Sequence, residues 1–116
     1  RSMAESGALI MNGTDPPVEE ISPIASFHCS ITRKLPDGSI FQPEQRLTRE
    51  QALRSYTINN AYAAFEEDIK GSITPGKLAD ITVLSKDIMT VPEDEIPETK
   101  IVYTIIGGEV KYKWKR

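Results

Sequence analysis

The sequence predicts a small α+β unit that ends in a β-hairpin. Three observations carry this prediction: a helical pattern over residues 48–65, a stretch of alternating apolar residues near residue 81, and a glycine-centred hairpin at the C-terminal end. Apolar residues three or four apart indicate a helix, whereas strict alternation indicates a strand. The expected element order is helix, strand, helix, helix and then three strands.

The first element is the end of a helix, followed by a short buried strand. Residues 1–6 are mostly polar, and Gly7 is a typical helix-stopping residue. The apolar run Leu9-Ile10-Met11 then predicts a strand. That strand leads to Asp15, after which Pro16 and Pro17 remove two backbone donors and predict a loop.

A short helix and a turn are expected next. Ser22 can cap a helix, and Pro23 suits its first position. The segment "LPDGSIFQPEQR" is rich in turn residues, and its Asp37-Gly38 pair predicts a tight turn.

The clearest helix is predicted from Thr48 to Phe65. Thr48 and Gln51 match the capping-box pattern, and Glu50 lies four residues before Arg54. One face of this helix should pack inward, with Tyr56 and Asn60 as packing and hydrogen-bonding residues. The residues of that face are Leu53, Tyr56, Asn60, Ala61 and Ala64.

Three strands should follow the acidic end of this helix. Ala79, Ile81 and Val83 alternate with polar residues and predict the first strand. The proline-rich and acidic residues 86–100 predict a surface connection. The run "IVYTIIGGEVKYKW" predicts a hairpin, because Gly107-Gly108 accepts the positive φ angles of a two-residue turn.

Composition excludes several classes of protein. The chain has 116 residues, of which 39% are hydrophobic and 27% charged, as in one modest globular domain. Its net charge of −3 argues against nucleic acid and acidic membranes as partners. The single cysteine excludes an internal disulfide, and the lack of a membrane-length apolar run or signal-peptide pattern predicts a cytoplasmic protein.

The predicted elements leave apolar strands without cover. The strand at Leu9–Met11 has no neighbour in sequence with which to pair, and "IVYTII" is apolar on both faces. We therefore expect either that the chain is part of a larger folded body or that it self-associates through its exposed strands.

Two sets of residues resemble a known family. The segment "GSITPGKLADITVLSKD" resembles the C-terminal end of metal-dependent amidohydrolases. Together with the Gly13-Thr14-Asp15 tripeptide and "YTINNAYA", it resembles the amidohydrolase family 3 branch, which includes N-substituted formamide deformylases.

This resemblance implies an α/β fold, in which the chain is the C-terminal fragment of a (β/α)₈ TIM barrel with part of a small β-sandwich. Residues 1–66 would be the end of the barrel, and residues 67–116 would be the sandwich strands. A complete barrel needs about 250 residues, so this chain would be one part of it.

The resemblance also implies a function for Asp15. In the family, the aspartate at this place lies beside the metal and exchanges protons with the attacking water. The whole protein would be a hydrolase of carbon–nitrogen bonds in a small molecule, with a divalent metal such as zinc. The isolated chain would be inactive and metal-free, since it contains no complete metal site. From its residues alone, Asp15 could equally be a turn residue, and Pro16 should hold it in an extended conformation.

Other residues allow a functional and a structural interpretation. His28 and Arg33 could line the substrate pocket, or they could lie on a solvated helix surface. Cys29 is most simply a small buried residue. Lys77 and Asp80 belong to the resemblance, which assigns them a structural role in the sandwich. The alternative to an enzyme fragment is a standalone α+β binding module that dimerises through its hairpin.

Overall fold

The computed structural model describes residues 2–115. The α-helices of this part of the chain are α1 (Ser2–Glu5), α2 (Pro23–Thr32), α3 (Arg49–Tyr56) and α4 (Ile58–Ala63). Two 3₁₀ helices span Pro43–Gln45 and Glu93–Glu98, and the strands are β1 (Ile81–Leu84), β2 (Ile101–Ile106) and β3 (Glu109–Lys113). The predicted α+β class is confirmed.

The three strands form one antiparallel sheet in the order β1-β2-β3. Ile81 pairs with Ile105, and Ile106 pairs with Glu109 next to the hairpin turn. Gly107 and Gly108 have φ angles of 59° and 81°, which are the positive values expected at both central residues of a two-residue hairpin turn. The predicted hairpin is confirmed.

Both predicted helix starts are confirmed. The Ser22 side chain accepts a hydrogen bond from the Ala25 backbone N–H, and Pro23 is the first residue of α2. At α3, the Gln51 N–H donates to Thr48 Oγ1 at 3.1 Å, and the Thr48 N–H donates to Gln51 Oε1 at 2.9 Å. These reciprocal bonds form the capping box.

The prediction of one continuous helix over residues 48–65 is wrong, because the helix breaks at Thr57. Thr57 has φ −125° and ψ −99°, which are far from helical values. Its hydroxyl donates to the Leu53 carbonyl at 2.8 Å. That carbonyl would accept the Thr57 N–H in a regular helix, so the side chain replaces a backbone bond and α4 takes a new direction.

The segment Leu9–Met11 is in no ladder among residues 2–115, so its prediction as a strand stays a prediction. A strand needs a second strand beside it, and this segment lies against helices instead. The Asn12 N–H donates to the Ser55 carbonyl at 3.0 Å, and the Asn59 side chain donates to the Ile10 carbonyl at 2.8 Å. Helical residues thus satisfy backbone groups that a neighbouring strand would otherwise satisfy.

The core lies between α2, α3 and the segment before β2. Ile96, in the second 3₁₀ helix, is fully buried, and Ile88 is nearly so. Residues 86–100 therefore supply core residues, and their prediction as a surface connection is wrong. The prediction followed the acidic residues and prolines of this segment, whereas Ile88 and Ile96 between them are buried. The buried cluster comprises Ile24, Phe27, Ile31, Ala52, Ile88 and Ile96.

The chain exposes more surface than a folded monomer of its mass. Its accessible area is 8188 Å² at 12.9 kDa, whereas the scaling of surface with mass gives about 6300 Å². The radius of gyration is 14.9 Å, against about 13.4 Å for a compact domain of this length. The exposed apolar residues include Val83, Ile106 and Val110 of the sheet. None of the described helices is long and apolar enough to cross a bilayer.

Candidate functional site

Asp15 lies at the start of a turn and is exposed to solvent. The Val18 N–H donates to the Asp15 carbonyl at 2.9 Å and closes the turn, which contains a cis bond between Pro16 and Pro17. Asp15 has a φ of 46°, so the prediction that Pro16 keeps it extended is wrong. The short polar side chain of aspartate tolerates the left-handed region that this turn requires. Its carboxylate accepts no hydrogen bond from the described residues.

The segment that leads to Asp15, residues 9–14, is held by side-chain and backbone groups of three helices. The Asn12 Nδ2 donates to Ser30 Oγ of α2 at 3.1 Å, and the Asn60 Nδ2 of α4 donates to the Asn12 carbonyl at 3.0 Å. The Ser55 carbonyl of α3 accepts the Asn12 N–H. Asn12 therefore has a fixed position three residues before the carboxylate.

A cavity of about 630 Å³ opens beside this segment. Its walls come from the segment itself, from α2 and from the end of α3. They include Asn12, Gly13, Cys29, Ser30, Arg33 and Tyr56. The cavity therefore lies next to the tripeptide that ends at Asp15, although Asp15 is not part of its wall. Cys29 is half-buried, so it is less enclosed than predicted.

Arg33 ends α2 at the edge of this cavity. It adopts the left-handed conformation with φ 58°, and its Nε donates to the Phe41 carbonyl at 3.1 Å. The guanidinium also lies 5.5 Å from the centroid of the Phe41 ring. Arg33 thus lines the cavity with its side chain already bound to Phe41, and its contact with a substrate stays a prediction.

His28 does not line this cavity. The charged groups that affect it are Glu93, before β2, and Lys34. Partial burial lowers the pKa of His28, and Lys34 lowers it further, while Glu93 acts in the opposite direction. The predicted pocket role of His28 stays a prediction.

Tyr56 has a buried hydroxyl that makes no hydrogen bond. Burial raises the pKa of Tyr56, and the hydroxyls of Ser26 and Ser30 oppose this shift from nearby without reaching hydrogen-bond geometry. A buried donor without a partner is unusual in a folded protein. Tyr56 was predicted to pack and to form hydrogen bonds, and the hydrogen-bonding part of this prediction is wrong for its hydroxyl. Its position in the apolar stripe gave no signal of an unsatisfied hydroxyl.

Asn59 was not predicted as a site residue, although the sequence contains a signal for it. Asparagine is a poor helix former, and two of them stand together in "YTINNAYA" on the inward side of a helix. Such a pair indicates a hydrogen-bonding role rather than packing. Asn59 is buried at 9% exposure, and its amide holds the Ile10 carbonyl.

Lys77 and Asp80 bind backbone groups far from Asp15's turn in sequence. The Lys77 ammonium donates to the Glu67 carbonyl and, at 3.4 Å, to the Lys70 carbonyl. Asp80 accepts the Gly107 N–H at 2.8 Å. Both contacts are structural, as the resemblance implies.

No group of three histidine, cysteine or acidic side chains that could hold a metal ion occurs among residues 2–115. A protein zinc site needs about three converging ligands. The described part of the chain therefore does not fit a complete metal site.

Comparison with known proteins identifies the family. A model described as the amidohydrolase family matches residues 1–112. The N-substituted formamide deformylase of Arthrobacter pascens is 31% identical over 97% of this chain and 21% of its own length. The imidazolonepropionase of Porphyromonas gingivalis is 28% identical over 97% of this chain and 25% of its own length.

A solved structure shares the fold. An amidohydrolase from Thermotoga maritima matches 97% of this chain and 25% of its own chain, with a TM-score of 0.71 and 22% identity. This chain belongs to the amidohydrolase family, and it spans about a fifth to a quarter of the length of these relatives.

Proposed function

We propose that this chain is part of an amidohydrolase that cleaves a carbon–nitrogen bond of a small molecule, in which Asp15 transfers the proton. Membership of the family supports hydrolysis, and the name of the Arthrobacter relative suggests an N-substituted formamide as the first substrate to test. The proposal concerns the whole protein, because the chain covers only a small share of its relatives' length.

One observation carries the role of Asp15. Its exposed carboxylate has no hydrogen-bond partner among the described residues, and it follows an anchored segment beside a large cavity. A carboxylate without internal partners is available to accept a proton from water and to return that proton to a leaving nitrogen. Each cycle takes up one proton and releases one, so Asp15 ends in its starting state.

A metal ion would need ligands beyond those described. Amidohydrolases generally depend on a metal, and a bound zinc ion would supply water that is easier to deprotonate. Since residues 2–115 contain no suitable cluster, we propose that its ligands come from the rest of the whole protein. The isolated chain should then be inactive.

Arg33 and His28 remain proposed pocket residues, and they differ in position. Arg33 lines the cavity beside Asn12 and Gly13, where its positive charge would attract an acidic substituent of the substrate. His28 does not line this cavity, so Arg33 is the better placed of the two.

The test is the variant Asp15→Asn in the full-length protein that contains this chain. With an N-substituted formamide as substrate, formate release should fall by about 10²- to 10⁴-fold, which is the usual loss of a general acid–base group. Metal content and melting temperature should stay unchanged. The matched control is Asp94→Asn, because Asp94 is an exposed carboxylate outside this region. An Asp15→Asn protein with unaltered kcat would refute the role of Asp15.

A second candidate function is a binding module that self-associates through its hairpin, and the exposed apolar sheet residues favour it. Ile106 is 52% exposed and Val110 is 56% exposed. If this candidate is right, light scattering of the isolated chain should show a defined dimer that Val110→Lys disperses. Irregular aggregation of both proteins would favour the enzyme fragment.

A further inference from the structure

Two adjacent asparagines hold the segment before Asp15 by its carbonyl groups. Asn59 Nδ2 donates to the Ile10 carbonyl at 2.8 Å, and Asn60 Nδ2 donates to the Asn12 carbonyl at 3.0 Å. The bonded residues are two apart in the segment and about fifty residues away from the asparagines in sequence, with separations of 49 and 48. The contacts are therefore tertiary rather than local.

The break at Thr57 brings these amides to the segment. Because α3 ends there, α4 starts in a new direction, and its first turn carries both asparagines. Gly71 packs against the other side of α4, where a Cβ atom would lie 2.7 Å from Ala61 Cβ. Helix α4 therefore contacts the connection to β1 on one side, through Gly71, and the segment before Asp15 on the other.

No ladder among the described residues includes the segment. Its remaining bonds are those that Asn12 makes with Ser55 and Ser30. From Asn12 only two residues, Gly13 and Thr14, lead to Asp15, so the connection to the carboxylate is short. A shift of the Asn12 carbonyl would therefore move the carboxylate.

We propose that Asn59 and Asn60 are positioning residues that set the location of the Asp15 carboxylate through the Ile10 and Asn12 carbonyls. This proposal rests on the proposed function of Asp15. Both side-chain amides donate to backbone carbonyls of the segment, so we assign neither asparagine a catalytic role. Their effect on the reaction passes entirely through Asp15.

The first test is Asn60→Ala in the full-length protein, assayed with an N-substituted formamide. We expect kcat to fall about 10- to 100-fold, since a displacement near 1 Å costs that much, while KM changes less than about threefold. The matched control is Tyr62→Ala on the same helix, because Tyr62 is 53% exposed and outside the site. That variant should keep the kcat of the wild type.

The second test combines Asn60→Ala with Asp15→Asn in one protein and compares its kcat with that of the Asp15→Asn protein. If Asn60 acts only through Asp15, then Asn60→Ala should cause no further loss of kcat in the Asp15→Asn protein. A full additional loss in that background would overturn the positioning role. Should Asn60→Ala fail to fold, Asn60→Asp keeps the size of the side chain, removes the donor and carries the same expectation.

The outcomes separate this inference from the proposed function. An inactive Asp15→Asn protein with fully active Asn59→Ala and Asn60→Ala variants would refute positioning alone. A fully active Asp15→Asn protein would refute the proposed role of Asp15 in proton transfer. It would also refute the positioning role of Asn59 and Asn60, because that role depends on Asp15.

Discussion

The Asp80 carboxylate accepts a 2.8 Å hydrogen bond from the backbone N–H of Gly107, which lies 27 residues further along the chain. Next to it, the Gly108 N–H donates to the Ala79 carbonyl at 3.1 Å. Together these bonds tie the hairpin turn to the residues that precede β1. Residues 76–80, the Gly-Lys-Leu-Ala-Asp part of the family resemblance, contain both acceptors, and we call them the clasp of the hairpin turn.

Asp80→Ala should loosen the hairpin turn. A hydrogen bond to a charged group stabilises a fold by about 1.5 kcal/mol at the low end of the usual range. We use this low value because Asp80 is exposed. We therefore expect hydrogen–deuterium exchange at the Gly107 amide to speed up about tenfold. Asp68→Ala is the control, since Asp68 is exposed and outside the clasp. Unchanged exchange at Gly107 in Asp80→Ala would contradict the clasp.

Gly71→Ala should destabilise the fold more than Gly76→Ala. Both glycines have positive φ angles, 87° and 93°, so alanine is strained at either position. Only at Gly71 would the new Cβ also lie 2.7 Å from Ala61 Cβ and 3.0 Å from Ile58 Cα. We expect a loss of about 2–4 kcal/mol at Gly71 and about 1 kcal/mol at Gly76, measured by urea unfolding. Equal losses would show that α4 can move away from Gly71.

Ile96→Ala should show that the acidic segment before β2 is part of the core. Ile96 has 0% exposure, and truncation of a buried isoleucine costs about 2–5 kcal/mol. The control is Ile73→Ala, because Ile73 is 86% exposed and its loss should change the free energy of unfolding by less than about 0.5 kcal/mol. A small effect of Ile96→Ala would restore the prediction of a surface connection.

The stability of the fold should rise with pH on account of His28. Its pKa in the folded state lies below the ordinary 6.5. The unfolded state therefore binds more protons just below that pH, so protonation favours unfolding. We expect the melting temperature to fall as the pH drops from about 7.5 to 5.5, and to fall less in His28→Asn. A variant with the same pH dependence as the wild type would exclude His28 as the cause.

Local signals in the sequence predicted a good part of the fold. The capping box at Thr48, the cap at Ser22 and the glycine pair at 107–108 depend on neighbouring residues alone, and the structure confirms all three. The helix break escaped prediction, because the Thr57 hydroxyl competes with the backbone for one carbonyl and no propensity scale records that competition.

The site was predicted less completely than the fold. The tripeptide that ends at Asp15 was visible as a family resemblance, and the family is confirmed. Its conformation was not, since Asp15 adopts a positive φ where an extended one was expected. Asn59 escaped notice, and the unbonded hydroxyl of Tyr56 was not predicted, because both features depend on residues distant in the chain.

The sequence by itself determined the helix caps, the hairpin and the family, because each is written in residues a few positions apart. Tertiary structure alone decided what becomes of Leu9–Met11. An apolar run predicts burial, but whether its backbone binds a strand or side-chain amides depends on which groups come near it. Here the bend at Thr57 places Asn59 and Asn60 beside this segment. Their side-chain amides donate hydrogen bonds to the Ile10 and Asn12 carbonyls, which a neighbouring strand could otherwise bind.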